Sequence, residues 1–230
     1  MSNATFYSTW VEVDLEAIRN NVQWFQNFSG VAVMAVVKAN AYGHGMIPAA
    51  KAALQAGASW CGVARIEEAL ELRAASLDCP ILVMGYTPPD RVDEAVAQQI
   101  SMTVWDPRQL ELAAGAAKKA QMPARLHLKV DTGMSRLGVQ PEGMLDFVRK
   151  LAKTPGVIFE GLFTHFARAD ETDPTPTDAQ EERFRAVLTQ LEQAKLRPPV
   201  VHAANSAASL TRPSAHFDRR SSTRPIRPPA

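Results

Sequence analysis

The residues of this sequence best suited to chemistry are a lysine closing an apolar run and polar side chains that follow other β-rich runs. Lys38 ends the stretch Val31-Ala32-Val33-Met34-Ala35-Val36-Val37. A lysine desolvated at a strand end has a depressed pKa and can form an imine with an aldehyde. A lysine there can equally extend its ammonium to solvent with no further role. Tyr42, four residues on, offers either a hydroxyl or a core aromatic with a wet tip. Lys129 and Val130 alternate along a later run, so one of them faces the opposite side of the sheet from the other. Arg136 stands beyond Asp131 in a glycine-containing loop, where a fixed guanidinium suits an anionic oxygen; exposed arginines without a role are as common. His165 ends a sixth run, and Asn205 and Ser206 follow a seventh. The other histidines, His44, His127, His202 and His216, show no metal-ligand clustering.

The elements that must position these groups alternate regularly. The predicted strands are Val31–Lys38, Trp60–Arg65, Ile81–Tyr86, Ser101–Trp105, Arg125–Asp131, Phe159–His165 and Pro199–Ala203. The predicted helices are Leu15–Phe28 after a capping Asp14, then Ile47–Ala56, Ile66–Ala75, Asp90–Gln98, Pro107–Gln121, Pro141–Lys153 and Thr177–Lys195. Asp106-Pro107 sets a capping acid before a proline at the first helical position. The runs Val31–Val37 and Ile81–Met84 are nearly all apolar, which predicts strands covered on both faces. Strand–helix alternation with short connections implies parallel strands and right-handed crossovers. An open doubly wound sheet and an eight-stranded barrel both satisfy this. The turn Ala39-Asn40-Ala41-Tyr42-Gly43-His44-Gly45 is neither a dinucleotide fingerprint nor a phosphate loop ending in Gly-Lys-Ser/Thr. In a barrel, Lys38 would sit at the C-terminal face where such folds keep their sites, and the loop with Ser206 would follow strand seven, a common phosphate position.

Composition narrows the function classes. The 230 residues are 46% hydrophobic and 21% charged, with 25 basic against 24 acidic side chains and a net charge of +1. That is an ordinary globular balance with no electrostatic footprint for nucleic acid or an acidic membrane. Cys61 and Cys79, without partners at metal spacing, read as reduced thiols. The start Met1–Trp10 lacks the features of a secretory signal, and no run is long enough to span a bilayer, so the expected location is the cytoplasm. From Arg219 to Ala230 the composition switches to arginine, proline and serine, which predicts a disordered basic tail after a domain covering residues 1–218.

Four segments, in order, resemble hallmarks of the alanine racemase family: Val37–Gly45, Lys129–Gly138, Thr164–Ala167 with Ala169-Asp170, and His202–Ala207. Val13-Asp14-Leu15 with Ile18, Asn20 and Asn21 is similar to the family's opening, so the likeness covers about residues 8 to 218. The resemblance implies a pyridoxal-phosphate-binding (β/α)8 TIM-type barrel followed by a β-rich domain, a homodimer, and interconversion of L- and D-alanine, the D-form serving the bacterial cell wall. It implies that Lys38 holds the cofactor as an imine and acts as base on one face of the substrate. Tyr42 would reach the phosphate, with Ser206 and Asn205 nearby, and Arg136 would lie by the phenolic oxygen and substrate. His165 would stack near the ring. Lys129 matches a lysine that is carbamylated in many members and orients the arginine.

The sequence departs from that pattern after Asp218. Seven of eight strands are found, and the family's C-terminal β domain with its opposing catalytic tyrosine has no counterpart. The expectation is therefore an incomplete barrel, truncated or frame-shifted after Asp218, with little or no activity. A non-catalytic pyridoxal-phosphate-binding protein, an inactive remnant and an amino-acid decarboxylase on the same barrel are the competing readings.

Overall fold

The structure, a computed structural model, describes residues 9–217. The tail expected at 219–230 lies outside the described residues, as does Asp218. Helix α1 (Leu15–Ser29) begins where Asp14 accepts hydrogen bonds from the amides of Glu16 (2.8 Å) and Ala17 (3.1 Å), and stops at Gly30 in the left-handed conformation, φ 66°. Such capping satisfies donors and acceptors that the helix itself cannot.

Repeating strand–helix units follow. They run β1 (Met34–Val36), α2 (Met46–Gln55), β2 (Trp60–Val63), α3 (Ile66–Ala74), β3 (Ile81–Val83), α4 (Val92–Ala97), β4 (Ser101–Val104) and α5 (Pro107–Ala120). After these come β5 (Ala124–Lys129), α6 (Met144–Ala152), β6 (Val157–Phe163), α7 (Thr175–Gln193), β7 (Val200–His202) and a short α8 (Ser206–Thr211). Single 3₁₀ turns that open on proline, Pro89–Arg91 and Pro141–Gly143, lead into α4 and α6. Asp106 caps α5 as its sequence predicts, accepting from the Arg108 amide at 2.7 Å, while Gln109 reaches back to the Asp106 amide at 3.0 Å.

All seven strands are parallel and lie in the order β1-β2-β3-β4-β5-β6-β7. A sequential order has no reversal point, which excludes the doubly wound alternative. The sheet is curled into part of a barrel. Trp60 of β2 meets His127 of β5 edge to face with ring centres 5.4 Å apart, so strands three places apart touch across the interior.

One expectation is corrected at β1. The run Val31–Lys38 forms a strand of three residues, and Val36 is 37% exposed. Among the described residues β1 pairs with β2 alone, at one end of the sheet, so an apolar run that reads as fully covered is half open. Of the run Ile81–Met84, in the middle of the order, Ile81, Leu82 and Val83 are buried as the composition predicts, and Met84, just past the strand, is half-buried.

The core lies between sheet and helices. Leu126 and Leu128 of β5 are buried in one cluster with Leu110 of α5, Val148 and Leu151 of α6, and Phe184 and Leu191 of α7. Each such side chain contributes about 1.5–3 kcal/mol by leaving water. The alternate residues of β5, Arg125, His127 and Lys129, point into the barrel. There a bulge in β6 moves the partner register from Phe159 to Gly161 across Leu126 and His127. The skipped residue, Glu160, is thereby aimed at Ser101 Oγ (2.5 Å), Arg125 Nη1 (3.0 Å) and His127 Nε2 (3.3 Å). Gly161 is required here, since a Cβ would collide with the His127 ring.

Candidate functional site at the C-terminal ends of the strands

Lys38 lies two residues past β1, half-buried, with its Nζ 5.8 Å from the centre of the Tyr42 ring. Between these residues the backbone turns in the wrong hand. Ala39, Asn40 and Ala41 have φ of 51–54° and ψ of 43–51°, and Tyr42 has φ 55°. Left-handed geometry costs most non-glycine residues about 1–2 kcal/mol, so Ala39, Ala41 and Tyr42, leaving aside the more tolerant Asn40, oppose folding by roughly 3–6 kcal/mol. Strain of this kind persists where the surroundings over-determine it. The Ala41 amide donates to Val37 O (2.8 Å), Gly45 to Asn40 O (3.0 Å), and the Met46 amide to Asn40 Oδ1 (2.8 Å). The Ala39 amide donates to Glu68 Oε1 of α3 at 2.6 Å, and Glu68 Oε2 accepts from the amides of Ala64 (2.8 Å) and Arg65 (3.1 Å).

Lys129 ends β5 with 4% of its surface exposed, its ammonium 5.4 Å from the centre of the Phe163 ring. Burial pushes its pKa down, and the charges of Arg136 and Lys38 push the same way against Asp131. His165, just past β6, is also held below its usual range by burial and then by Lys129, Arg136 and Lys38. Lys129 and His165 thus each feel the charges of Lys38 and Arg136 at the ends of β1, β5 and β6.

Arg136 itself is exposed, on a loop held shut at its base. Val130 and Val139 form a bridge, with the Val139 amide on Lys129 O (2.8 Å) and the Asp131 amide on Val139 O (2.9 Å). Asp131 Oδ1 accepts from the amides of Gly133 (3.0 Å) and Ser135 (2.9 Å). These bonds and one from Gln140 outweigh the effect of burial and hold the carboxyl below its usual range. Gly138, at φ 137°, closes the loop, and a Cβ there would lie 2.5 Å from the Asp131 nitrogen.

A buried glutamine of α7 joins this loop to the end of β6. Gln180 Oε1 accepts from the Ala167 amide (2.8 Å), while Nε2 donates to His165 O (3.1 Å) and Thr132 Oγ1 (3.3 Å). Thr132 Oγ1 in turn lies 2.7 Å from Thr164 Oγ1.

The remaining sequence-predicted residues fall less tightly together. Tyr42 is 61% exposed, which overturns the reading of it as a core aromatic. Asn205 caps α8 by accepting from the Ala208 amide (2.9 Å), and Ser206 is exposed at the first position of that helix. Glu68, Gln180 and Glu160 were not singled out from sequence. Glu68 alone left a trace, as an acid three residues into a helix that follows a strand.

A mouth carrying two lysines, an arginine and a histidine, with one lysine buried, favours a small anion that bears an electrophilic carbonyl. Comparison with known proteins points the same way. Residues 13–224 match the family described as alanine racemase, N-terminal domain. The chain is 42% identical over 220 residues to alanine racemase 2 of Oceanobacillus iheyensis, covering 95% of this chain and 56% of that protein. It is 43% identical over 211 residues to the alanine racemase of Symbiobacterium thermophilum, covering 91% and 56%. Among solved structures, alanine racemase from D-cycloserine-producing Streptomyces lavendulae superposes with a TM-score of 0.86 at 41% identity, over 90% of this chain and 55% of that one. The Clostridium difficile 630 alanine racemase in complex with cycloserine gives a TM-score of 0.87 at 33% identity, over 91% and 58%. The chain therefore spans little more than half the length of the curated relatives it matches. With its curled parallel sheet and its four motifs in order, the chain belongs to the alanine racemase family.

Proposed function

We propose that these residues form the cofactor-binding part of a pyridoxal-phosphate-dependent alanine racemase, with alanine as substrate and a second copy of the protein as partner. The observation that carries this reading is the convergence of Lys38, Lys129, Arg136 and His165 at one end of the barrel. The donor set fits the cofactor, since a phosphate and a phenolic oxygen call for cations, and the aldehyde calls for a primary amine. Bound pyridoxal phosphate supplies a conjugated ring that stabilises the electron pair left when the substrate α-proton departs.

The chain's own residues do the rest. Lys38 would be the amine that holds the aldehyde, and its amine would take or return a proton on one face of the substrate α-carbon. Arg136 sets a planar guanidinium against the anionic oxygens of cofactor and substrate. Lys129, carbamylated, turns a costly buried cation into an anion that steadies Arg136. Tyr42, Asn205 and Ser206 would hold the phosphate, and His165 would stack near the ring.

Racemisation needs a second acid–base group on the other face. None of the three tyrosines, Tyr7, Tyr42 and Tyr86, matches the family's opposing base. That second group falls to the part of the relatives' length that these 230 residues do not span. The test is covalent. Pyridoxal phosphate should give a visible absorbance band that borohydride fixes onto Lys38. Labelling at another lysine, or an unchanged band in Lys38→Ala, refutes the reading.

A further inference from the structure

We propose that Glu68 is a positioning residue for Lys38, acting through the Ala39 amide to hold the left-handed turn; this rests on the reading of Lys38 as the cofactor lysine. Among the described residues, the hydrogen bonds of the turn and its exit fall mostly within the segment itself. They run from Ala41 to Val37, from Gly43 to Ala39 and Asn40, from His44 to Ala41, and from Gly45 and Met46 to Asn40. The bond from Ala39 to Glu68 is the one that reaches a side chain of another element.

The carboxylate is well placed to do this. Glu68 is 8% exposed and takes three backbone amides, one on Oε1 and two on Oε2. Hydrogen bonds to a charged acceptor are short and strong, as the 2.6 Å distance to Ala39 illustrates. The Ala64 and Arg65 amides lie at the end of β2 and the start of α3. One side chain thereby fixes the end of β2 to the first residue after Lys38. The turn is unfavourable for Ala39, Ala41 and Tyr42; its opening residue Val37 is tied to β2 by its amide on Gly62 O (2.9 Å), and Glu68 adds the tie at Ala39, after Lys38. Without Glu68 the turn can relax toward right-handed geometry, and Lys38 then swings away from Lys129 and His165.

Glu68→Gln keeps the shape and leaves one acceptor oxygen where three donors converge. The local bonds to Ala64 and Arg65 retain it, and the amide of Ala39 meets an NH₂ group instead. Glu68→Asp keeps a carboxylate within reach of Arg65 and is too short for Ala39, so it serves if the glutamine variant fails to fold. On the full 230-residue chain without added cofactor, hydrogen exchange in the peptide spanning residues 37–45 should quicken about tenfold in either variant, with β4–β6 unchanged. That figure corresponds to the loss of one hydrogen bond. With pyridoxal phosphate, the limiting rate of borohydride-fixed labelling at Lys38 should fall about tenfold at an unchanged half-saturating concentration. Alkylation of Cys79 should proceed as in the parent, which a general loosening of the fold would not allow. Unchanged exchange in the turn of both variants overturns the proposal. Faster exchange with an unchanged labelling rate overturns the positioning role. If the parent protein fails to label at Lys38, the proposed function falls, while the exchange comparison still decides whether Glu68 holds the turn.

Discussion

The ammonium of Lys129 lies 5.4 Å from the centre of the Phe163 ring, inside the barrel and with Arg136 rather than a carboxylate as its strongest charged neighbour. An aromatic face stabilises a desolvated cation only in part. Burial accordingly holds the lysine pKa below its ordinary 10.5. Between the native pKa and 10.5 the unfolded chain binds a proton that the folded chain has released, so stability rises with pH across that window. Lys129→Met should abolish the rise in pH-dependent unfolding and be at least as stable as the parent at neutral pH, because it removes a cation without a full partner. Bicarbonate should raise the melting temperature of the parent and not of Lys129→Met, as the neutral amine takes up carbon dioxide and becomes an anion beside Arg136. A bicarbonate effect of equal size in both proteins would refute this.

The two cysteines should differ sharply in reactivity. Cys79 is half-exposed, and its pKa is lowered to about 7 by a hydrogen bond from Cys61, with the Arg73 charge assisting against burial. Cys61 is buried, and its interaction with Cys79 and its burial push its pKa up. Iodoacetamide at neutral pH should therefore modify Cys79 quickly and leave Cys61 untouched in the folded protein. The rate should reach half its plateau near pH 7. Peptide mapping that finds Cys61 modified first would contradict the arrangement.

Much of this site was legible from residue types and order, and the illegible parts share a cause. Lys38 closing an apolar run, and the loop from Asp131 to Gly138, carry their chemistry within a few residues of one another. The left-handed turn does not, because Ala39-Asn40-Ala41-Tyr42 contains no glycine to announce it, and asparagine alone among them tolerates that region well. Its brace, Glu68, is 29 residues away from Ala39 in sequence. Burial of β1 was misread since an apolar run does not reveal whether its strand has a neighbour on each side. The β6 bulge was hidden for a related reason. A single residue, Glu160, leaves the two-residue alternation to meet side chains from β4 and β5, and nothing local marks it.

The loop carrying Arg136 gives a backbone test. Gly138 combines φ 137° with a site where a Cβ would lie 2.5 Å from the Asp131 nitrogen. Gly138→Ala must break the bond from the Asp131 amide to Val139 O, and should destabilise the protein by more than 1 kcal/mol in urea unfolding, roughly the bound for alanine at a positive φ. Arg136→Lys leaves that backbone alone. It should shift the absorbance of the pyridoxal-phosphate adduct with little change in stability, since it keeps the charge and loses the planar fork. Loss of folding without a spectral change in Arg136→Lys would make the arginine structural.

Acid should loosen the barrel interior through Glu160. Burial works to raise its pKa, but the His127 ring nitrogen 3.3 Å away, the hydrogen bond from Ser101 and the charge of Arg125 outweigh it, leaving the carboxyl below its ordinary 4.5. A depressed carboxyl contributes stability that is fully present above 4.5 and disappears as pH falls through the native value, because the unfolded chain takes up the proton first. Glu160→Gln keeps the side-chain shape and removes the charge facing Arg125 and His127. At pH 7 it should cost about 1.5–3 kcal/mol, the range for hydrogen bonds to a charged group. The difference from the parent should shrink below pH 4.5 and vanish once both side chains are neutral in both states. Paired urea titrations at pH 7, 5, 4 and 3 would show this convergence. A gap that stays constant down to the lowest pH would mean that Glu160 stabilises the barrel through its packing and not through its charge.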